Sequence, residues 1–382
     1  FKTCQRERGK DVLFLERAGG LIMRVCFLNL DSINVTPYFS YYEKLLTEKC
    51  DYDLVYWDRG KEDQATRANR VFAYHHPVET KKKAVWLFQL ATGYLGFRSF
   101  AKKVLKENDY DVVIALTGNV ATLLYDVLTK KYPGRYIVDI RDYFLENIAL
   151  YKHFETKVID HSALTIISSP AFQSFLPPHD YSIMHNTHPI SPDEKTKVRA
   201  YPRPSNPMVL ASIGTGKNLE LDKETISFFA NDKRFSLRFI GRNYDELASY
   251  CSEKGITNVY VKGDFKSSET LDLYKDVDVI MSMYGSDKTH FKHQLTNKLY
   301  YALQLGLPLL VSEGSYMAEI VNKYDLGLVF SPESTSMKDA ILDLYDMTKE
   351  HQRESGQKEF LEKIAVENTQ TFEKVKAILA TT

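Results

Sequence analysis

Unbroken runs of β-branched and other apolar residues recur along the chain, each bounded by glycine, asparagine, aspartate or serine. Runs without polar alternation read as strands covered on both faces, as in parallel sheets. In the first half these are "RVCFLNL", "YDLVYW", "DVVIALTG", "RYIVDIRD", "ALTIISS" and "YSIMHN". In the second half they are "MVLASIG", "SLRFIG", "NVYVKG", "VDVIMSMYG", "LPLLVSE" and "LGLVFS". Helical patterns such as "YFSYYEKLLTEK", "NVATLLYDVLTKKY" and "SETLDLYKD" lie between them. A loose echo joins the halves, since "NDYDVVIAL" and "KDVDVIMSM" each set an acidic turn before an apolar strand. Strands alternating with helices predict an α/β protein of two Rossmann-like, doubly wound domains facing each other across a cleft. Ligands of such domains bind at the carboxyl ends of the strands.

The 382 residues are too many for one ordinary core, which also points to two domains. Residues 1–22 show no clear period before Met23 opens the first strand, so they read as an extension outside the fold. The first domain is expected over 23–190. A linker follows at 191–207, within the proline- and charge-rich "HPISPDEKTKVRAYPRPSNP". The second domain is expected over 208–355. A final helix at 356–382 either packs on its own domain or crosses back to the first.

Composition changes this picture only by exclusion. Fifty acidic residues balance fifty basic ones, so no global field calls for nucleic acid, and any cationic function is local. Cys4, Cys26, Cys50 and Cys251 are scattered without metal-ligand spacing, which fits a reducing cytoplasm. No apolar run approaches the ~18 residues needed to span a bilayer.

Chemistry concentrates at the predicted strand ends. "ASIGTGKNLE" closes a strand with Gly214, Gly216 and then Lys217; glycines let a backbone approach a ligand, and exposed amides with a lysine suit phosphate. A simple turn is the equal alternative. "FIGRN" ends in Arg242, whose planar fork suits phosphate or carboxylate, or which is simply a surface arginine after a turn. In "HQLTNKLYYALQLGLPLLVSEG" a helix begins at Thr296, Asn297 and Lys298 and stops at Gly306 and Pro308. A lysine there opposes the helix dipole, which makes sense if an anion binds in front of it. The bland reading is a capped helix with a solvated lysine. Three such endings in one domain suggest a ligand that carries a diphosphate.

In the first domain "IVDIRDYF" places Asp139, Arg141 and Asp142 at a strand's carboxyl end, as catalytic groups or as a structural ion pair. Asn29, Asp31, Ser32 and Asn34 in "NLDSINVTPYF", with Thr117 and Asn119 after another strand, form the acceptor-side set. Asp276 and Asp278 have a DxD form but enter a buried strand, so they read as strand-edge punctuation and no metal site is assigned. His185 and His188 flank "NT" at the end of the first domain, within reach of the expected cleft. Lys81 to Lys106 mixes six lysines and an arginine with Trp86, Phe88, Tyr94, Phe97 and Phe100. Such a helix binds an anionic membrane surface, or else is a core-facing helix with a solvated cationic face.

With these residues in place, the chain resembles a GT-B glycosyltransferase, and more narrowly the bacterial glycosyltransferase family 4 (glycosyltransferase group 1) of capsular and exopolysaccharide biosynthesis. The match is carried by Asn297, Lys298, Leu299, Gly306 and Pro308, and "VDIRD" is similar to an acidic-arginine segment of that family. The resemblance implies a nucleotide-diphosphate sugar bound by the second domain, a glycan or polyprenyl-linked glycan acceptor at the first, and retaining, metal-independent transfer with no cofactor. It also implies two donor-contacting glutamates, whose places here fall on His293 and Tyr301. The resulting expectation is a cytoplasmic glycosyltransferase, peripheral at the inner face of the membrane. A sugar-nucleotide 2-epimerase on the same architecture and a non-catalytic partner of another transferase are the alternatives.

Overall fold

The computed structural model describes residues 23–33, 36–46, 50–60, 66–78, 83–200 and 203–380, the side chains of 83 and 84 excepted. Expectations placed on residues 1–22, Asn34, Lys81 and Lys82 lie outside them. The chain divides into two units, Phe1–His185 with Glu367–Thr382, and Asn186–Val366.

Unit 1 holds a parallel seven-stranded sheet: β1 (Met23–Asn29), β2 (Cys50–Asp58), β3 (Arg70–His75), β4 (Val112–Ala115), β5 (Tyr136–Ile140), β6 (Leu164–Ile167) and β7 (Tyr181–Ile183), in the order β3-β2-β1-β4-β5-β6-β7. Unit 2 holds a parallel six-stranded sheet: β8 (Met208–Ile213), β9 (Phe235–Ile240), β10 (Val259–Lys262), β11 (Val279–Ser282), β12 (Leu309–Ser312) and β13 (Gly327–Phe330), in the order β10-β9-β8-β11-β12-β13. Both are doubly wound α/β sheets, as the apolar runs predict. Each reverses direction once, between β1 and β4 and between β8 and β11, and such switch points open a crevice at the carboxyl ends of the strands. The central strands β4, β5, β8, β11 and β12 are buried at every position, which is why they read as unbroken apolar runs. β3 has no counterpart in the sequence reading. It is an edge strand, half exposed, and "RVFAYH" alternates too weakly to stand out.

The helix Lys83–Glu107 lies against β2 and β3 through two glycines. A Cβ on Gly93 would fall 2.1 Å from the Trp57 ring, and one on Gly96 would fall 1.9 Å from the Tyr74 hydroxyl. Phe97, Ala101 and Leu105 then face the core.

One segment differs from expectation. Within the predicted linker, Pro192–Arg199 is a helix, because Ser191 and Glu194 form a capping box and proline suits the first turn. It is tied down where Arg199 Nε donates to the Leu305 carbonyl at 3.2 Å. The final helix runs unbroken over Met347–Ala380. Phe360 and Ile364 enter the core of unit 2, while Val375 and Leu379 enter that of unit 1. Thr371 Oγ1 donates to the Ile183 carbonyl at 2.6 Å. Among the described residues no helix is long and apolar enough to cross a membrane.

Candidate functional site

The switch point of unit 2 gathers most of the predicted donor-side residues. Gly214 and Gly241 follow β8 and β9 with φ of +131° and +130°. A Cβ on Gly241 would stand 1.9 Å from the Gly214 carbonyl oxygen, so the two loops touch backbone to backbone. Gly216 packs on Tyr244, at 2.7 Å for its missing Cβ. Here the structure corrects an expectation. The Gly214 amide donates to the Ile240 carbonyl and the Gly216 amide to the Arg242 carbonyl, both at 2.8 Å. These amides are spent on the loops rather than offered to a ligand, and the glycines serve close packing.

Lys217 is exposed at the end of this loop, and its ammonium lies 5.7 Å from the centre of the Tyr284 ring. Lys298 approaches the same ring from within the fold, at 4.9 Å. The two cations are therefore no more than ~11 Å apart. Lys298 is not the solvated lysine of a capped helix. It is 3% exposed, and its ammonium donates to Ser212 Oγ at 2.7 Å, with Tyr244 OH 2.8 Å from that same oxygen. Burial disfavours its charge, but the Tyr284 and Tyr244 phenols and the Asp222 carboxyl outweigh this and hold its pKa above the usual lysine value. Asp222, also buried, is pushed up to about 7 by desolvation, with Lys298 opposing. Thr296 sits at the N-cap position without bonding a helix amide; its hydroxyl lies 3.1 Å from Ser282 Oγ at the end of β11. Asn297 is exposed in the first turn. Gly306, at φ +75°, ends the helix Asn297–Leu305 as predicted.

The remaining donor-side positions spread out. Arg242 is 71% exposed and forms a solvated pair with Asp264 at 3.7 Å. His293 is half-buried, and burial with the Lys292 charge lowers its pKa, Glu319 opposing. Tyr301 packs against Tyr274, ring centres 5.2 Å apart. Asp278 accepts from the Ser205 and Val209 amides at 3.0 and 2.7 Å, and Asp276 pairs with Arg238 at 2.7 Å. The DxD-like acids are thus punctuation at the strand entrance. Tyr284 was not singled out in the sequence, where only its place after a predicted strand could have pointed to it.

In unit 1 the structure moves Asp139 and Arg141 from the catalytic to the structural alternative. Both are buried, with Arg141 Nε 2.6 Å from Asp139 Oδ1 and Nη2 2.8 Å from Oδ2. Tyr42 donates to Asp139 Oδ2 at 2.6 Å, Arg141 Nη1 donates to the Met184 carbonyl at 2.7 Å, and the Tyr38 ring lies 4.4 Å from the guanidinium carbon. Of the three residues only Asp142 is exposed. Asn29 is likewise an internal brace, donating to Thr36 Oγ1 at 2.8 Å and accepting from the Leu30 amide. His185, placed by the sequence within reach of the expected cleft, is buried against Glu367 at 2.7 Å.

Asp31, near the buried Ser32, pairs with Arg59 at 3.6 Å. Thr117 caps the helix Gly118–Leu123, and Asn119 accepts from the Tyr151 hydroxyl at 3.2 Å. Beside them lie two carboxyls that the sequence reading missed. Glu155 is 1% exposed, neither of its oxygens has a hydrogen-bond partner, and Oε1 sits 3.5 Å from where a Cβ on Gly118 would be. Burial raises it to about 8, Glu146 adding repulsion and Lys152 opposing. Glu146, itself raised by burial, accepts from the Phe144 amide at 2.6 Å.

No protein-family model and no curated protein sequence matches the chain. Solved structures do. HepE of Anabaena in complex with UDP-glucose aligns at a TM-score of 0.62 and 14% identity, over 93% of this chain and 100% of that one. Sucrose-phosphate synthase of Thermosynechococcus elongatus aligns at 0.66 and 10% identity, over 94% and 100%. The chain has a GT-B fold. WaaG, a glycosyltransferase involved in lipopolysaccharide biosynthesis, shares this GT-B architecture at 0.55 and 13% identity, over 94% and 100%. At these identities the likeness concerns architecture, and the chemistry has to be argued from the residues.

Proposed function

We propose that this GT-B protein is a glycosyltransferase that moves a sugar from a nucleotide-diphosphate donor to a glycan or polyprenyl-linked glycan. The observation that carries the reading is the convergence of Lys217 and Lys298 on Tyr284 at the switch point of unit 2. Departure of a nucleoside diphosphate leaves negative charge on its outer phosphate, and preorganised cations stabilise that charge. Lys217 supplies a mobile ammonium at the loop surface. Lys298 supplies a charge from below, where lower dielectric strengthens it and the Ser212 hydroxyl fixes its position. Tyr284 offers a flat ring for a base or sugar, and Arg242 an exposed fork within the next loop. The proposed reaction is a hexosyl transfer with retention that needs neither metal nor cofactor, and the proposed setting is a cytoplasmic protein that meets an anionic membrane surface along Lys81 to Lys106.

One observation favours a second reading. Tyr301, at the place of a family glutamate, packs on Tyr274, and His293 stands at the other such place. A non-catalytic partner of another transferase would tolerate this.

A thermal-shift panel of UDP-, GDP-, ADP- and TDP-sugars tests donor binding, since a ligand of the native state raises its stability by mass action. One nucleotide class is expected to stabilise the chain, and Lys217→Ala to weaken it about 10-fold or more, in line with a lost charge-assisted bond. An unchanged affinity removes the assignment. Sugar transfer by the purified chain excludes the non-catalytic reading, and conversion of donor without acceptor selects the epimerase.

A further inference from the structure

The helix Leu219–Phe229 of unit 2 carries a buried carboxyl that has no bonding partner. Its N-cap, Asn218, accepts from the Leu221 amide at 3.4 Å and donates to the Tyr284 carbonyl at 3.1 Å. A Cβ on Gly285 would stand 3.0 Å from the same Asn218 nitrogen and 3.8 Å from Leu221. The first turn of this helix therefore lies against the loop that presents Tyr284. Asp222 follows Asn218 by four positions, so the two share one face of the helix. Asp222 is 3% exposed, and among the described residues its carboxyl takes no hydrogen bond and closes no ion pair. A carboxylate in such a place is costly unless a nearby charge compensates it.

The charges around it are few. Lys298 acts on Asp222 from the helix Asn297–Leu305, and Asp222 in turn acts on Tyr244 at the start of the helix Asp245–Lys254. Ser212 at the end of β8 and Tyr284 after β11 complete the surroundings of the Lys298 ammonium. On the helix of Asp222 itself, Lys223 is paired with Glu220 at 3.0 Å and with Glu246 at 2.5 Å. Lys217 and Asp287 are exposed on the flanking loops. Desolvation pushes the Asp222 carboxyl up to about 7, with Lys298 opposing. Ionised, Asp222 offsets the Lys298 charge. Protonated, it leaves that charge among neutral phenols and a hydroxyl.

We propose that donor binding is linked to a proton at Asp222: a diphosphate arriving at Lys217 and Lys298 draws one proton from solvent onto this carboxyl, which frees the Lys298 charge for the phosphates. The proposal deepens the donor reading and rests on it. Both phosphates of a nucleotide sugar are fully substituted and keep a constant charge near neutrality, so a pH dependence of binding belongs to the protein. Donor bound beside Asp222 favours its neutral form, so affinity is highest where the free carboxyl is already protonated. It falls as pH rises through 7 toward the higher value of the bound state. One charge ~8 Å from another at an effective dielectric of ~20 shifts a proton equilibrium roughly 30-fold, which lowers affinity about tenfold between pH 6.5 and 8.5.

Calorimetric titration of the full chain with UDP-, GDP-, ADP- and TDP-glucose in turn tests this, at pH 6.5 and 8.5 for affinity. Repeating the binding sugar at pH 8 in HEPES and in Tris, whose ionisation heats differ, counts protons. The expected result is the tenfold fall in affinity and uptake of roughly 0.7 proton per donor at pH 8. Asp222→Asn should lose the uptake and flatten the slope. His293→Gln, which removes the neighbouring histidine of the same unit, should keep both. Wild-type binding without proton uptake and with equal affinity at the two pH values overturns the proposal, and this holds even if Asp222→Asn does not fold. Uptake that persists in Asp222→Asn, or that vanishes in His293→Gln while binding remains, overturns it equally. Absence of binding by all four sugars at every pH removes the donor reading and the proposal with it, whereas binding without uptake removes the proposal alone.

Discussion

Replacing Glu155 with glutamine tests whether a carboxyl is held neutral beside Asn119 and Tyr151. In the unfolded chain this group titrates near its ordinary 4.5, and in the fold burial raises it to about 8. A folded-state pKa raised in a carboxylic acid means that the native state binds the extra proton between these values. Its stabilising effect is complete below pH 4.5 and is lost as pH rises through 8. At ~1.36 kcal/mol per pH unit, stability of unit 1 falls by roughly 4 kcal/mol from pH 5 to pH 8 through this group alone. Glutamine removes the titration while keeping shape, so the difference in slope isolates Glu155 whatever the amide itself costs. Both tryptophans, Trp57 and Trp86, belong to unit 1. Urea unfolding followed by tryptophan fluorescence therefore reports this unit without the Asp222 titration in unit 2. The expected result is a wild-type slope of about −1 kcal/mol per pH unit that Glu155→Gln flattens. Parallel slopes for the two proteins between pH 5 and 8 would refute the reasoning.

Two other substitutions address the reassigned residues. Arg141→Leu leaves the buried Asp139 charge with Tyr42 as its remaining side-chain hydrogen bond, and the expected cost is ~3–5 kcal/mol in the same unfolding assay. An unchanged stability with lost transfer would return the pair to a catalytic role. Gly241→Ala places a methyl against the Gly214 carbonyl at a φ of +130°, so it should destabilise the protein by more than ~1 kcal/mol and lower donor affinity with it. A thermal shift equal to wild type with and without nucleotide argues against the two loops acting together.

The element order was legible because each signal is local. Strands buried on both faces show as unbroken apolar runs, and Gly306 with Pro308 closes a helix by backbone conformation alone. The capping box of Ser191 and Glu194 was equally local, but the surrounding proline and charge hid it. β3 escaped because an edge strand buries too little to leave a pattern. Within the site, the sequence pointed to the lysine at the start of a helix and to the aspartate and arginine at the end of a strand. It could not say where they aim. Lys298 reaches Ser212 across 86 positions of chain, and Tyr42 reaches Asp139 across 97. Such partners are chosen by the order in which strands pair and by how helices lie on them, which no neighbouring residue encodes. Sequence alone therefore determined two doubly wound halves and a family of candidate cations. Tertiary packing decided that one cation is buried against Ser212, that an expected catalytic pair neutralises itself in the core, and that two lysines converge on Tyr284.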